Sequence, residues 1–593
     1  MDAKSISRRG LLKRASVAAV GASGIARAIE EKAQRPNVVL IMTDDQGWGD
    51  VRSHGNDKID TPVMDRLAAS GARFDRFFVC PLCAPTRASL LTGRYHLRTG
   101  THGVTGGKEI MRAEEVTVAE VLKRAGYVTG CFGKWHNGAY WPHHPNGQGF
   151  DEFYGFCAGH WNNYFDTTLD HNGKEVRSSG YITDVLTDAA IAFIRRHRDR
   201  PFFAYVPYNA PHSPFQVPDR YWDKYKTRGL DEKTASVYAM CENIDGNLGR
   251  ILEALDELKL AERTMVIFLT DNGPNGRRFN GEMAGAKGSN QEGGTRVPCF
   301  VRWPGHVRAG TVIRQIAAHI DLLPTIAAIA GVARPKTLPL DGVSLLPLLT
   351  ATANDWPDRM LFEKGAVRTQ RWRLQMPRTG RKARPNAKPR TKLYDMIADP
   401  GQKRDVAAKH ADVAEKLAKA YRAWYADVSK GIQGMPPPLP VGHEKAPDVT
   451  LLAPECKMTG KVRFKQGRGW ANDWITNWTS TDDRVAWDLD VVHGGRYEVT
   501  LMYTCPAGDV GSRVRVDAGG KHVEGTVRKA HDPKPIPSPD RVQRKEVYEK
   551  VWAPLNLGTI ELARGKTRLT VRALTKPGRQ VLDLKAVRLR RAE

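Results

Sequence analysis

The run Asn37 to Asp45, NVVLIMTDD, restricts the fold more than any other part of the chain. Five apolar residues in succession leave no polar face, so as a strand the run is buried on both sides, as in the parallel sheets of α/β proteins. The two carboxylates then fall just past its carboxyl end, where open α/β sheets place ligands. The pattern returns three times. Met265 to Leu269 leads directly into Thr270-Asp271-Asn272-Gly273. Tyr127 to Phe132 ends in Gly133-Lys134-Trp135-His136, and Pro201 to Pro207 leads to Asn209-Ala210-Pro211-His212. Between these runs lie stretches of helical period, Thr117 to Ala125, Ile182 to Arg195 and Lys233 to Leu258. Strands alternating with helices predict an α/β doubly wound sheet, in which the four strand ends share one rim.

Several weak signals agree on that rim. Asp44, Asp45, Asp271 and Asn272 form an all-oxygen set suited to a hard divalent cation, Ca²⁺ or Mg²⁺. Each taken alone equally describes a turn or a helix cap. Lys134, His136 and His212 surround the set, and prolines on both sides of His212 predict an extended, fixed segment. Ala286-Lys287-Gly288 and Glu292 to Pro298 add a flexible, Gly-rich loop that brings another cation, Lys287. The stretch Pro81 to Gly93, PLCAPTRASLLTG, sets Cys83 in a Pro-containing turn before a helix-like patch, Ala88 to Leu91. Backbone N–H groups at a helix start favour an anion. Arg87 adds a planar cation suited to a tetrahedral oxyanion. A lone C-x-P-x-R also fits a buried Cys before an ordinary helix; the neighbouring ligands decide against that reading.

The charge balance, 91 Lys and Arg against 65 Asp and Glu, gives a formal +26. Such a surface attracts polyanions: nucleic acid, anionic membrane, or sulfated and carboxylated polysaccharide. No C2H2 spacing, RNA-binding signature or coiled-coil basic region is present, so nucleic acid is not the expected partner. Eight cysteines in 593 residues are too sparse for a disulfide scaffold. Cys80 and Cys83 make a C-x-x-C pair without a second pair at zinc spacing. Ser7-Arg8-Arg9-Gly10-Leu11-Leu12-Lys13, a weakly apolar run and Ala26-Arg27-Ala28 match a twin-arginine export signal with its cleavage site. No later run is long and apolar enough to span a bilayer. The expectation is a soluble enzyme that is exported, periplasmic or secreted.

Cys83-Ala84-Pro85-Thr86-Arg87, Leu90 to Gly93, Gly133-Lys134-Trp135-His136, Thr270-Asp271-Asn272-Gly273 and Glu292 to Pro298 resemble the type I sulfatase family of the alkaline phosphatase-like superfamily. The resemblance runs from Pro36 to about Val428 with the motifs in order. Thr86 stands where many members have Ser, Phe132 replaces a smaller residue, and Asn137 follows His136 where Leu is frequent. One further polar position near the sulfate has no clear counterpart within His160 to Phe165. The resemblance implies a sulfuric ester hydrolase acting on a sulfated carbohydrate or aryl sulfate. It also implies oxidation of Cys83 to Cα-formylglycine by a maturation enzyme, with the hydrated aldehyde attacking sulfur. Asp44, Asp45, Asp271 and Asn272, together with position 83, would ligate one Ca²⁺. Arg87 would hold the diol, Lys134 and Lys287 the sulfate oxygens. His136 would assist deprotonation and His212 would protonate or orient the leaving oxygen. Two other readings stand beside this one: a phosphonate or phosphodiester hydrolase on the same fold, and a non-catalytic glycan-binding protein with Cys83 unmodified.

The expected organisation is a signal peptide over 1–28, a catalytic α/β domain over 36–350 and a small α+β subdomain with a basic loop over 351–430. A Pro-rich linker over 431–446 and an all-β jelly-roll sandwich over 447–593 complete it. The last assignment rests on alternating strands with Gly turns, such as Arg484 to Val491, Tyr497 to Tyr503 and Thr567 to Arg572. The sandwich resembles carbohydrate-binding modules. Trp470, Trp474 and Trp478 fit stacking on sugar rings and, equally well, burial in the core or docking against the catalytic domain.

Overall fold

The computed structural model describes residues 35–332, 338–353, 355–377 and 390–592. The expected export signal and most of the basic loop lie outside them. Twelve strands lie before residue 314, and a short thirteenth, Ala317–Ala318, pairs with Phe77–Phe78. The twelve are β1 (Asn37–Thr43), β2 (Ala72–Phe74), β3 (Phe77–Phe78), β4 (Val128–Lys134), β5 (Glu152–Phe156) and β6 (Thr168–His171), followed by β7 (Lys174–Arg177), β8 (Phe202–Pro207), β9 (Thr264–Thr270), β10 (Arg296–Val297), β11 (Cys299–Arg302) and β12 (Thr311–Ile313). Ten of them form one sheet in the order β12-β2-β11-β9-β1-β8-β4-β5-β6-β7. The centre, β9 to β5, is parallel, while β11, β6 and β7 run antiparallel to their neighbours. The expected doubly wound mixed sheet is present. The four strands with polar ends are consecutive in it.

Every residue of β1, β8 and β9 is buried. Successive side chains point to opposite faces. Val39, Ile41, Ala204 and Val206 pack with Leu186, Phe193, Ile244 and Leu248 from the helices Ile182–Arg196 and Glu232–Glu257. Val38, Leu40, Met42 and Tyr205 pack on the other face with Leu90, Leu91, Leu322 and Ile326 from the helices Cys83–Thr92 and Leu322–Ile329. Helices on both faces leave only the strand ends for chemistry.

Beyond residue 350, the strands Leu361–Glu363, Ala366–Arg368, Trp372–Gln375 and Lys392–Asp395 pair antiparallel, and Leu417, Tyr421 and Trp424 of the helix Ala411–Val428 cover them. Two six-stranded sheets follow. Arg484–Val491 pairs with Gly565–Thr575 in one; Gly495–Thr504 pairs with Ala553–Leu562 and Asp583–Arg591 in the other. Val485, Trp487, Leu489 and Val491 alternate with half-exposed residues and meet Tyr497, Val499 and Leu501 in a common core. The segment expected as a Pro-rich linker is extended and also paired: Leu439–Val441 adds a parallel strand to Leu489–Val491. Its apolar Leu439 and Val441 are buried, which a tethered linker would leave wet.

Trp478 is a fully buried member of the sandwich core, and Trp474 is buried with its Nε1 donating to Asp583 Oδ2 at 3.1 Å. Neither offers a ring face to a sugar. The sandwich also seats directly on the first domain. Tyr140 Oη donates to Thr450 O at 2.9 Å and pairs with Glu455. Gln216 Nε2 donates to Ser538 and Asp540 at 2.8 Å each, and Arg544 Nη1 donates to Asn162 O at 2.8 Å.

Candidate active site

The helix Cys83–Thr92 starts at Cys83 itself, five residues earlier than the helix-like patch in the sequence. Pro85 lies in its first turn, where a missing N–H costs nothing. All ten of its residues are buried. Cys83 thus sits at a helix N-terminus facing the rim of β1, β9, β8 and β4. Ligand atoms of Asp44, Cys83 and Asp271 lie within 4.8 Å of one another, as do those of Asp44, Asp45 and His212.

The rim is polarised across the sheet. The β9 and β1 ends supply oxygens, from Asp271, Asn272, Asp44 and Asp45. The β4 and β8 ends supply nitrogens, from Lys134, His136 and His212. Arg87 joins the halves: its Nη2 pairs with Asp271 Oδ2 at 2.8 Å and lies 3.6 Å from Asp44, while Nη1 donates to Lys134 O at 2.6 Å. Lys134 Nζ pairs with Asp44 Oδ2. Lys287 Nζ pairs with Asp45 Oδ1 at 2.6 Å, and His212 Nε2 stands 3.7 Å from Asp45 Oδ2. All ten residues expected at the site are therefore together, nine of them interlinked and His136 alongside. Three buried oxygens, Asp44 Oδ1, Asp45 Oδ2 and Asn272 Oδ1, have no hydrogen-bond partner. Buried orphan acceptors are costly unless something neutralises them, and a hard cation with oxygen ligands fits this set.

Electrostatics follow from burial and crowding. Burial pushes the Asp44 carboxyl up, but Lys134, His212, Arg87 and Lys287 together hold it well below the usual carboxylate range. Asp271 goes the other way, to about 7, because burial and the Asp44 charge outweigh Arg87. Burial also raises the Cys83 thiol against the pull of Lys134 and Lys287, so an unmodified thiolate is disfavoured. Burial and Lys134 lower His136 well below its ordinary value. His136 Nε2 is 2.9 Å from Val104 O and must carry the proton there; its Nδ1 is unpaired and free to accept one. His212 is also lowered, by burial and then by Lys287. It lies in a bend, with its N–H donating to Asn209 O at 3.1 Å, rather than in an extended segment. The backbone amide needs that partner in a buried setting.

The expected Gly-rich loop holds at residues 286–288, which lie in a turn, but not beyond. Glu292–Thr295 is a buried helical turn, anchored by Glu292 to Arg368 Nη2 at 2.8 Å. Its glycines serve contact: Gly273 donates to Gly294 O at 3.0 Å, and a Cβ on Gly273 would lie 2.0 Å from Gly293 O. This packing carries Lys287 to Asp45. Side-chain exposure places the opening. Asp44, Arg87 and Asp271 are sealed at 0%, whereas His212 keeps 12% and Lys287 19%.

Two neighbours stood out in the sequence only as departures from the family pattern, with no role attached. Asn137 Nδ2 donates to Ala84 O at 3.2 Å and so pins the turn after Cys83. His160 lies inside the segment without a clear counterpart; its ring stacks on His212 at 6.4 Å and 7°, and its Nε2 is unpaired. All eight cysteines are free, so the C-x-x-C pair is not a disulfide; Cys80 Sγ contacts His319 Nε2 at 3.3 Å.

A buried cysteine at a helix start among acidic oxygens, two lysines, an arginine and two histidines makes a pocket suited to an anion and a hard cation. Comparison with known proteins names the class. Residues 36–332 match the family model "Sulfatase", and residues 287–424 match "N-sulphoglucosamine sulphohydrolase, C-terminal". Human N-acetylgalactosamine-6-sulfatase is 35% identical over 352 residues, covering 53% of this chain and 66% of that protein. Human arylsulfatase A is 35% identical over 376 residues, covering 56% and 70%. The crystal structure of Ps i-CgsB in complex with k-i-k-neocarrahexaose superimposes with a TM-score of 0.60 at 30% identity, covering 68% of this chain and 98% of that one. The chain belongs to the sulfatase family of sulfuric ester hydrolases.

Proposed function

We propose that the chain removes sulfate from a sulfated carbohydrate, using position 83 as Cα-formylglycine and one Ca²⁺ held by Asp44, Asp45, Asp271 and Asn272. The observation that carries this reading is the set of three orphaned buried oxygens on Asp44, Asp45 and Asn272, beside Asp44 and Asp271 atoms that meet Cys83 at the helix start. The sugar names of the similar proteins, N-acetylgalactosamine-6-sulfatase and a neocarrahexaose complex, support a glycan substrate. When present, the cation supplies charge neutralisation for sulfate and the hydrated aldehyde supplies the attacking hydroxyl.

The chain's own residues do the rest. Lys134 and Lys287 neutralise the non-bridging sulfate oxygens. Arg87, held by Asp271 and by Lys134 O, fixes the nucleophile's orientation. His136 Nδ1 accepts the proton that must leave position 83 to release sulfate. His212 presents Nε2 to the leaving sugar oxygen, because its Nδ1–H donates to Ser213 O at 2.7 Å, and it gives up a proton there only as the doubly protonated imidazolium. The twin-arginine pattern of Ser7 to Lys13 supports export before action, and the basic charge suits a polyanionic glycan.

The test pairs peptide mass spectrometry of position 83 with turnover. Natively produced protein is expected to carry the aldehyde at residue 83, to release sulfate from sulfated galactosamine or galactose oligosaccharides, and to lose that activity with chelator. Unmodified Cys83 with intact glycan binding would point to a binding protein. Faster turnover of phosphate diesters than of any sulfate ester would replace the substrate class.

A further inference from the structure

Burial removes Trp474 and Trp478 from contact with sugars and leaves Trp470 half-exposed. We propose that the hairpin loop carrying Trp470 is a substrate subsite of the active site. Trp470 stacks on a sugar ring beside the one that loses sulfate, and Lys465 and Arg468 hold further sulfate groups of the same chain. The occupant is a sulfated oligosaccharide, an assignment that rests on the sulfatase reading of the site.

Position is the first support. Arg463–Phe464 pairs antiparallel with Ile475–Thr476, and Lys465 N donates to Trp474 O at 2.9 Å, closing the base of the loop between them. Two contacts clamp this loop onto the first domain. On one side Gly469 O accepts from Thr105 Oγ1, next to Val104, whose carbonyl faces His136 Nε2 at 2.9 Å. On the other side Asn472 Nδ2 donates to His160 O at 3.3 Å, and the His160 ring stacks on His212. Lys585 Nζ holds Asn472 from within the sandwich, 2.7 Å from its carbonyl oxygen. Trp470 lies between the clamps, its backbone no more than about 8 Å from either. The loop thus runs from the His136 side of the pocket to the His212 side. Substrate groups beyond the reacting sulfate must emerge through the opening at His212 and Lys287, beside this loop.

Charge is the second support. Lys461, Arg463, Lys465 and Arg468 are all exposed, and residues 456–471 contain no Asp or Glu. Elsewhere on the sandwich cations are paired, as Arg513 is with Glu524 at 2.9 Å and Arg568 with Asp488 at 2.7 Å. Among the described residues none of these four has a carboxylate partner. An uncompensated strip of cations beside the pocket attracts a polyanion. Arg468 also stands over the Trp470 ring, its Cζ 5.4 Å from the centroid. Ring and cation are therefore offered together, and a sulfated sugar presents an apolar face and an anion in one unit. Neither family model reaches this loop, since the matched residues end at 424. The subsite belongs to the sandwich.

The test compares hexasaccharides of sulfated galactose, galactosamine and glucosamine with p-nitrophenyl sulfate. On each hexasaccharide that the wild type desulfates, Trp470→Ala is expected to raise KM about fivefold to tenfold, the size of an aromatic stacking contact. The change in kcat should be less than about twofold, as for a group that binds without reacting. On p-nitrophenyl sulfate, too short to reach the loop, the KM change should be much smaller. Trp470→Phe should recover most of the affinity. Lys465→Gln combined with Arg468→Gln should raise KM at low salt and lose that effect at about 0.5 M salt, while the Trp470→Ala effect persists. Equal KM changes on long and short substrates, or an unchanged KM on every hexasaccharide desulfated, would overturn the proposal. Calorimetric binding of the same hexasaccharides to the full chain carrying Cys83→Ala reads the subsite without turnover. Affinity there should fall about fivefold to tenfold when Trp470→Ala is added. A wild type inactive on every sulfate ester, with binding that still depends on Trp470, would count against the sulfatase reading alone. No binding of any hexasaccharide, or binding indifferent to Trp470, overturns the subsite.

Discussion

The ten-stranded sheet and the C-terminal sandwich both bury apolar strands, but in opposite patterns. β1 and β9 are buried at every position, whereas Arg484–Val491 alternates buried and half-exposed. In the first region helices cover both faces, so polar chemistry is confined to the strand ends, where Asp44, Asp45, Asp271 and Asn272 lie. In the second, one face of each sheet stays in water and carries ion pairs such as Arg568 with Asp488 at 2.7 Å. Its contribution to the site comes instead from connections between strands. The comparison teaches that burial pattern governs where a region can place reactive groups: a covered sheet only at its rim, an open sandwich on its faces and loops.

The largest expected effect separates chemistry from architecture. Cys83→Ala should reduce sulfate release by about 10³-fold or more, as loss of a nucleophile does, while the melting curve and glycan binding persist. A folded variant with retained turnover would move the chemistry away from the rim. The next effect is on the sandwich. Trp487 is fully buried, so Trp487→Ala should destabilise that domain by about 3–5 kcal/mol, measured by denaturant unfolding. Sugar-sulfate turnover should fall as the sandwich melts, because the two regions share the His212 surroundings; unaffected turnover would make them independent bodies.

The smallest effect lies at the seam. Glu455, paired with Tyr140, is pushed up to about 8 by burial and by the charge of Glu109, against its ordinary 4.5. The folded state therefore holds this proton more tightly than the unfolded chain. Stability from this group is full below about 4.5 and declines as pH rises towards about 8. Glu455→Gln should flatten that part of the profile, a change of a few degrees in Tm at most. An unchanged slope in the variant would remove the seam as its source.

Much of this was legible in the sequence because apolar runs with polar ends have one physical reading. The four runs became four adjacent strands, and all ten site residues met at their ends. Legibility failed where contact, not pattern, decides. Gly293 and Gly294 read as mobility, yet a Cβ on Gly293 would press on Gly285 O, one on Gly294 on Ser289 O, and Gly273 packs against the same turn. Trp474 and Trp478 had two readings until burial separated them. Asn137 and His160 are single polar residues with no period. Asn472 lies 312 residues from His160, a distance over which no local signal carries.

One consequence of the Cys83 helix concerns time. Its ten residues are all buried beneath the sheet and the neighbouring helices, and Cys83 itself is only 3% exposed. A pendant ester group can dip into the opening beside Lys287 and His212, but another protein cannot grasp the backbone around residue 83 without pulling this helix off the core. Any enzyme that rewrites that side chain must therefore meet the chain while it is still being made or unfolded. Folding then acts as a deadline: a chain that closes first keeps its thiol for the rest of its life.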